Sequence, residues 1–175
     1  MSWRYLCALS GWLFCQHASA YDLLLSVQGA IADNGCVVST DSKNMTVPMG
    51  DIALKQFYAN DVAFGKTQFV IKLENCGVLA SGVKVTFQGA AQGAANSENS
   101  ELLELTQEPD TAPGLAIEIL DANNARLPIN TKMATAIVIK PSTSNNLVFY
   151  AQYRAVDVVD AGVANATANF VLEYQ

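Results

Sequence analysis

From Ala164 to Tyr174 the chain alternates with a period of two: Ala164, Ala166, Ala168, Phe170, Leu172 and Tyr174 are apolar, while Asn165, Thr167, Asn169 and Glu173 are polar. Only an extended chain puts every second side chain on one face, so this stretch predicts a β-strand with one face on a core. The rule recurs at Val83, Val85 and Phe87 against Lys84, Thr86 and Gln88, at Phe69, Ile71 and Leu73 against Val70, Lys72 and Glu74, and at Leu115, Ile117 and Ile119 around Glu118. Shorter runs at 37–40, 45–49, 136–140 and 147–155 read as further strands, with turns at 41–44 and 121–124. No window of about 11 residues carries helical spacing, and residues 102–105 suit either a turn of helix or an edge strand. Seven or eight short strands joined by polar turns predict an all-β, immunoglobulin-like sandwich in one domain. In such a domain a further strand is expected beside the last run, which otherwise shows core and unpaired backbone to solvent.

The first 20 residues carry a different signal. Arg4 supplies positive charge, residues 5–14 are a short apolar run, and Ala18, Ser19 and Ala20 form a small-residue cleavage site, which predicts a secretory signal peptide over 1–20. The run is too short for the roughly 20 apolar residues that span a bilayer, so no membrane insertion is expected. His17, Trp3, Trp12, Cys7 and Cys15 would leave with this segment, and what remains has no histidine and no tryptophan. Catalysis of the Ser-His-Asp or Cys-His kind then has no base. Sixteen acidic residues against ten basic ones argue against nucleic acid as a partner. Glu101, Glu104, Glu108 and Asp110 read as a solvated acidic loop rather than an acid pair or calcium site. Cys36 and Cys76, an even pair in a secreted chain, predict one disulfide closing a long loop. With no histidine and no second cysteine near either of them, neither metal nor cofactor is expected.

Between cleavage site and first cysteine lies the stretch YDLLLSVQGAIADNG, residues 21–35. Leu23, Leu25, Val27, Gly29 and Ile31 fall on one strand face, and Leu24, Ser26, Gln28, Ala30 and Ala32 on the other. An apolar strand at a free amino terminus must find a core, its own or a neighbour's.

Taken together, several segments resemble the subunits of chaperone-usher pili, and the minor tip subunits of type 1 fimbriae more than the major pilin. They are DNGC at 33–36, Cys76, Lys55-Gln56-Phe57, VKVTFQG at 83–89, NLVFYAQ at 146–152 and NATANFVLEYQ at 165–175, with Gly162 fourteenth from the end and Tyr174 penultimate. The resemblance implies a six-stranded incomplete immunoglobulin fold lacking its seventh strand, with a signal peptide at 1–20, a donor-strand extension at 21–35 and the pilin domain at 36–175. It implies a route through the periplasm to a fimbrium on the cell surface. There a chaperone first lends a strand to the groove, and at the outer-membrane usher the extension of the next fimbrial subunit replaces it, running antiparallel to the last strand. On this pattern Leu23, Leu25, Val27, Gly29 and Ile31 donate, while Gly162, Ala168, Phe170, Leu172 and Tyr174 form the acceptor groove and chaperone-recognition surface. Asn34 and Gly35 leave only a short tether to Cys36, which favours donation to a neighbour over self-insertion. The function expected is a non-enzymatic tip adaptor; the alternative is a glycan-binding adhesin module, a class that resembles two domains in tandem without a donor strand.

Overall fold

The computed structural model describes residues 34–58, 62–93 and 97–175. The expected signal peptide and the donor positions Leu23, Leu25, Val27, Gly29 and Ile31 lie outside them. Among the described residues the strands are β1 Val37–Val38, β2 Ala63–Glu74, β3 Gly82–Gln88, β4 Leu103–Glu104, β5 Leu115–Leu120, β6 Ile137–Val138, β7 Asn145–Ala155 and β8 Asn169–Tyr174. They form two antiparallel sheets, one in the order β1-β2-β7-β5-β4 and the other β6-β3-β8. This is the all-β sandwich that the alternation predicts, and the incomplete immunoglobulin-like fold that the resemblance implies.

The sheets meet through aromatic and branched side chains. Phe149 of β7 lies 5.6 Å from Phe69 of β2 and 5.1 Å from Phe87 of β3, ring centre to ring centre, so one ring touches both sheets. Ile71, Leu73, Val83, Val85 and Leu147 are fully buried beside it, each such side chain contributing about 1.5–3 kcal/mol by leaving water. The disulfide joins Cys36, just before β1, to Cys76, just after β2. The two strands it brackets are paired, with Val37 opposite Glu74.

Some stretches depart from simple alternation, each for a local reason. Residues 37–40 make only a two-residue strand, and Thr40–Lys43 is a turn of α-helix. The hydroxyl of Ser42 accepts the amide of Lys72 at 2.9 Å, capping the ladder where the next β1 residue would pair. Residues 102–105 take the edge-strand reading: β4 covers Leu103–Glu104 at the end of its sheet, and a 3-10 turn at Glu98–Glu101 lies just before them. In β2 the register shifts between Phe64 and Thr67. Gly65 sits in this bulge with φ of +72°, and a side chain there would press on Ile52.

Glu118 is the largest departure. Its position in β5 suggests an outward, wetted carboxylate, yet it is only 3% exposed. Arg126 Nε donates to it at 2.6 Å, Gln152 Nε2 at 2.7 Å and an Arg154 guanidinium nitrogen at 3.1 Å, and Arg126 also reaches Glu101 at 3.1 Å. Burial alone would push the Glu118 carboxyl up; the hydrogen bonds from Gln152 and Arg126 and the charges of Arg126 and Arg154 outweigh it and hold the group below the usual carboxylate range. A carboxyl lowered in the folded state stabilises the fold above its unfolded value of about 4.3 and loses that contribution as pH falls through the folded value. Glu118→Gln is therefore expected to flatten the decline of stability below about pH 4, measured by urea unfolding at a series of pH values. An acid limb as steep as that of the wild type would show that Glu118 does not drive it.

Candidate functional site

An elongated groove of about 920 Å³ opens between the sheets. Its floor is core: Phe69, Ile71, Phe87, Ile117, Ile119 and Tyr153. One wall is the extended segment 45–52 and the other is 159–168 with Phe170. The sequence reads 45–49 as a strand, and here it makes no sheet hydrogen bond among the described residues. Opposite it, β8 pairs with β3 on one side only. Two backbone edges thus face a common apolar floor, the arrangement that takes up an added strand by β-augmentation.

The alternating residues of the last run behave as their period demands. Ala164, Ala166, Ala168, Phe170, Leu172 and Tyr174 are half-buried and packed on the core, and Asn165, Thr167, Asn169, Val171 and Glu173 are exposed. Gly162, Ala168 and Phe170 line the groove, while Leu172 and Tyr174 continue the same face beyond its lining residues. Tyr174 instead serves the far end of the domain, where its hydroxyl donates to the Cys36 carbonyl at 3.2 Å. Burial raises its pKa, and that of Tyr153, above the ordinary phenol value. Tyr153 donates to the Ala164 carbonyl at 3.2 Å and so ties floor to wall.

Sequence reasoning missed the contribution of Met45, Met49 and Ile52, which form the second wall. Their one signal was the weak run at 45–49. Among the described residues the carboxylates lining the groove are Asp51 and Asp160, and no three His, Cys, Asp or Glu side chains are grouped to hold a metal. Glu101 is paired with Arg126, and Glu104 accepts from Gln107 at 3.1 Å.

Gly162 shows how the wall is held. The Val163 amide donates to Asp110 at 2.7 Å, and the Val163 carbonyl accepts from Ala112 at 2.9 Å. A Cβ on Gly162 would lie 2.5 Å from the Ala112 nitrogen and 2.6 Å from the Asp110 oxygen, both backbone atoms that cannot swing aside. Gly162→Ala is accordingly expected to destabilise the domain by about 1–3 kcal/mol, the usual range for overpacking, and to weaken capture of a strand. Unfolding and strand-peptide binding measured together check this, and wild-type values for both would overturn it.

The fimbrial protein family model matches residues 25–175. The fimbrial-like protein YcbV of Escherichia coli K12 is 38% identical over 156 residues, covering 89% of this chain and 87% of its own. The fimbrial-like protein FimF of Salmonella typhimurium is 34% identical over 172 residues, covering 96% of this chain and 93% of its own. Among solved structures, a subunit of a chaperone-usher pilus aligns with a TM-score of 0.67 over 87% of this chain and 94% of that one, at 22% identity. The alternating terminal run, the half-open sandwich and these likenesses agree: the chain belongs to the fimbrial protein family.

Proposed function

We propose that this fimbrial subunit is a structural, non-enzymatic adaptor near the fibre tip, linked to its neighbours by donor-strand complementation. The observation that carries the proposal is the groove itself, an apolar floor between the segment 45–52 and the run 159–170, two backbone edges that an added strand could pair with. Gly162, Ala168, Phe170, Leu172 and Tyr174 present the edge and face that a periplasmic chaperone, and then a neighbouring subunit at the usher, would cover. Leu23, Leu25, Val27, Gly29 and Ile31 are the matching donor set, offered to the next groove. In this reading residues 1–20 are removed on export, 21–35 are the extension and 36–175 the accepting domain. Over the adhesin alternative, a linking subunit is favoured by the pairing of donor stretch and acceptor groove in one chain.

The test is thermal. A ligand that binds only the folded state stabilises it by about 2.7 kcal/mol at 100 times its dissociation constant. Titrating the secreted chain with synthetic donor peptides from fimbrial subunits should raise its unfolding midpoint in step with peptide concentration. No rise at saturating concentrations of any donor peptide would sink the proposal.

A further inference from the structure

We propose that copies of this chain stack head to tail through a second contact outside the groove, with Val78 and Leu79 of one copy seated on Tyr58 and Val158 of the next; this rests on the donor-strand reading above. The first patch lies at the disulfide end of the domain. Val78 is 69% exposed and Leu79 61% exposed, in the loop whose Gly77 amide donates to the Gly35 carbonyl at 2.8 Å. Two adjacent aliphatic side chains thus stand in water beside the point where the chain enters the domain.

The tether decides what must come near them. Between Ile31, the last donor position, and Gly35 the chain can span at most about 14 Å, so an accepting groove must end close to the 77–79 loop. A donor running antiparallel to the acceptor's last strand places Ile31 at the end where that strand begins, beside Gly162 and Val163. On this chain that end carries the second patch, opposite the disulfide: Ala155 at the end of β7 donates to Val62 just before β2 at 2.9 Å, and flanking them are Tyr58, 85% exposed, and Val158, 78% exposed. One copy therefore offers an apolar patch at each end, and a donated strand would bring the two together.

The experiment uses the secreted chain from Tyr21 onward, wild type and with Val78→Ser and Leu79→Ser combined. Oligomers formed at high concentration are diluted and their half-life is followed by size-exclusion chromatography; acceptance of a synthetic peptide of residues 21–33 is measured in parallel. The expected result is oligomers that dissociate at least tenfold faster in the variant, about 1.4 kcal/mol of contact, with peptide acceptance unchanged. Wild-type half-lives in the variant overturn the proposal, as does a variant whose only loss is in chaperone binding, which would make the chaperone the occupant of this patch. Peptide accepted without any oligomer overturns the stacking contact and leaves the donor-strand reading standing. Neither peptide nor copies accepted overturns the stacking contact, and the donor-strand reading falls with it only if donor peptides of other fimbrial subunits are refused as well.

Discussion

Replacing Cys36 or Cys76 by serine is expected to remove about 4 kcal/mol of stability, the chain-entropy value for a closed loop of this length, where the cysteines are 40 positions apart. The loss reaches beyond entropy of the unfolded chain. Cys36 also offers the carbonyl that holds Tyr174, and the Cys76 sulfur accepts from Asn145 at 3.4 Å, so one bond anchors the entry of the chain, the start of β7 and the end of β8. Against total stabilities of about 5–15 kcal/mol, such a loss leaves a domain with an open groove close to its unfolding limit. Urea unfolding of each single variant and of the double variant checks the result. The two single variants and the double one should lose similar amounts, since either substitution breaks the same bond; a loss below about 1 kcal/mol would make the bridge dispensable.

Phe149→Ala should cost about 3–5 kcal/mol, the range for a large aromatic removed from a packed core. Its ring is fully buried and is the common neighbour of Phe69 and Phe87, and those two rings are themselves floor of the groove. The expected outcome has two parts. Stability falls, and affinity for a donor strand falls further than in a variant of equal instability remote from the groove, such as Leu120→Ala on the outer side of β5. Equal affinity in the two variants would show that the floor does not depend on its buttress.

How much of this was legible beforehand depended on the length scale of the signal. β3 and β8 were readable because alternation along six or seven residues has no other explanation, and they pair with each other in register, Val83 opposite Tyr174 and Phe87 opposite Phe170. The disulfide followed from counting. Glu118 was not readable, because its burial depends on Arg126 and Arg154 arriving from other parts of the chain, and a lone acidic residue between isoleucines gives no sign of partners 8 and 36 positions away. The wall at 45–52 was half readable: its apolar residues are evident, but nothing local says that it lacks a ladder partner among the described residues. Ser42 likewise looks like a turn residue, and only the amide of Lys72 shows that it stops a sheet.

The disulfide has a mechanical meaning. A pull on the chain at Asn34 reaches Cys36 first, and there the covalent bond carries it across to Cys76 at the end of β2, bypassing the two weak pairs of β1. Load then enters the longest ladder among the described residues, β2 on β7, paired from Ala63 opposite Arg154 to Leu73 opposite Asn145. Hydrogen bonds in an antiparallel pair lie across the strands, so tension along β2 shears them all at once instead of opening them one after another. The bridge turns a vulnerable edge into a towing point.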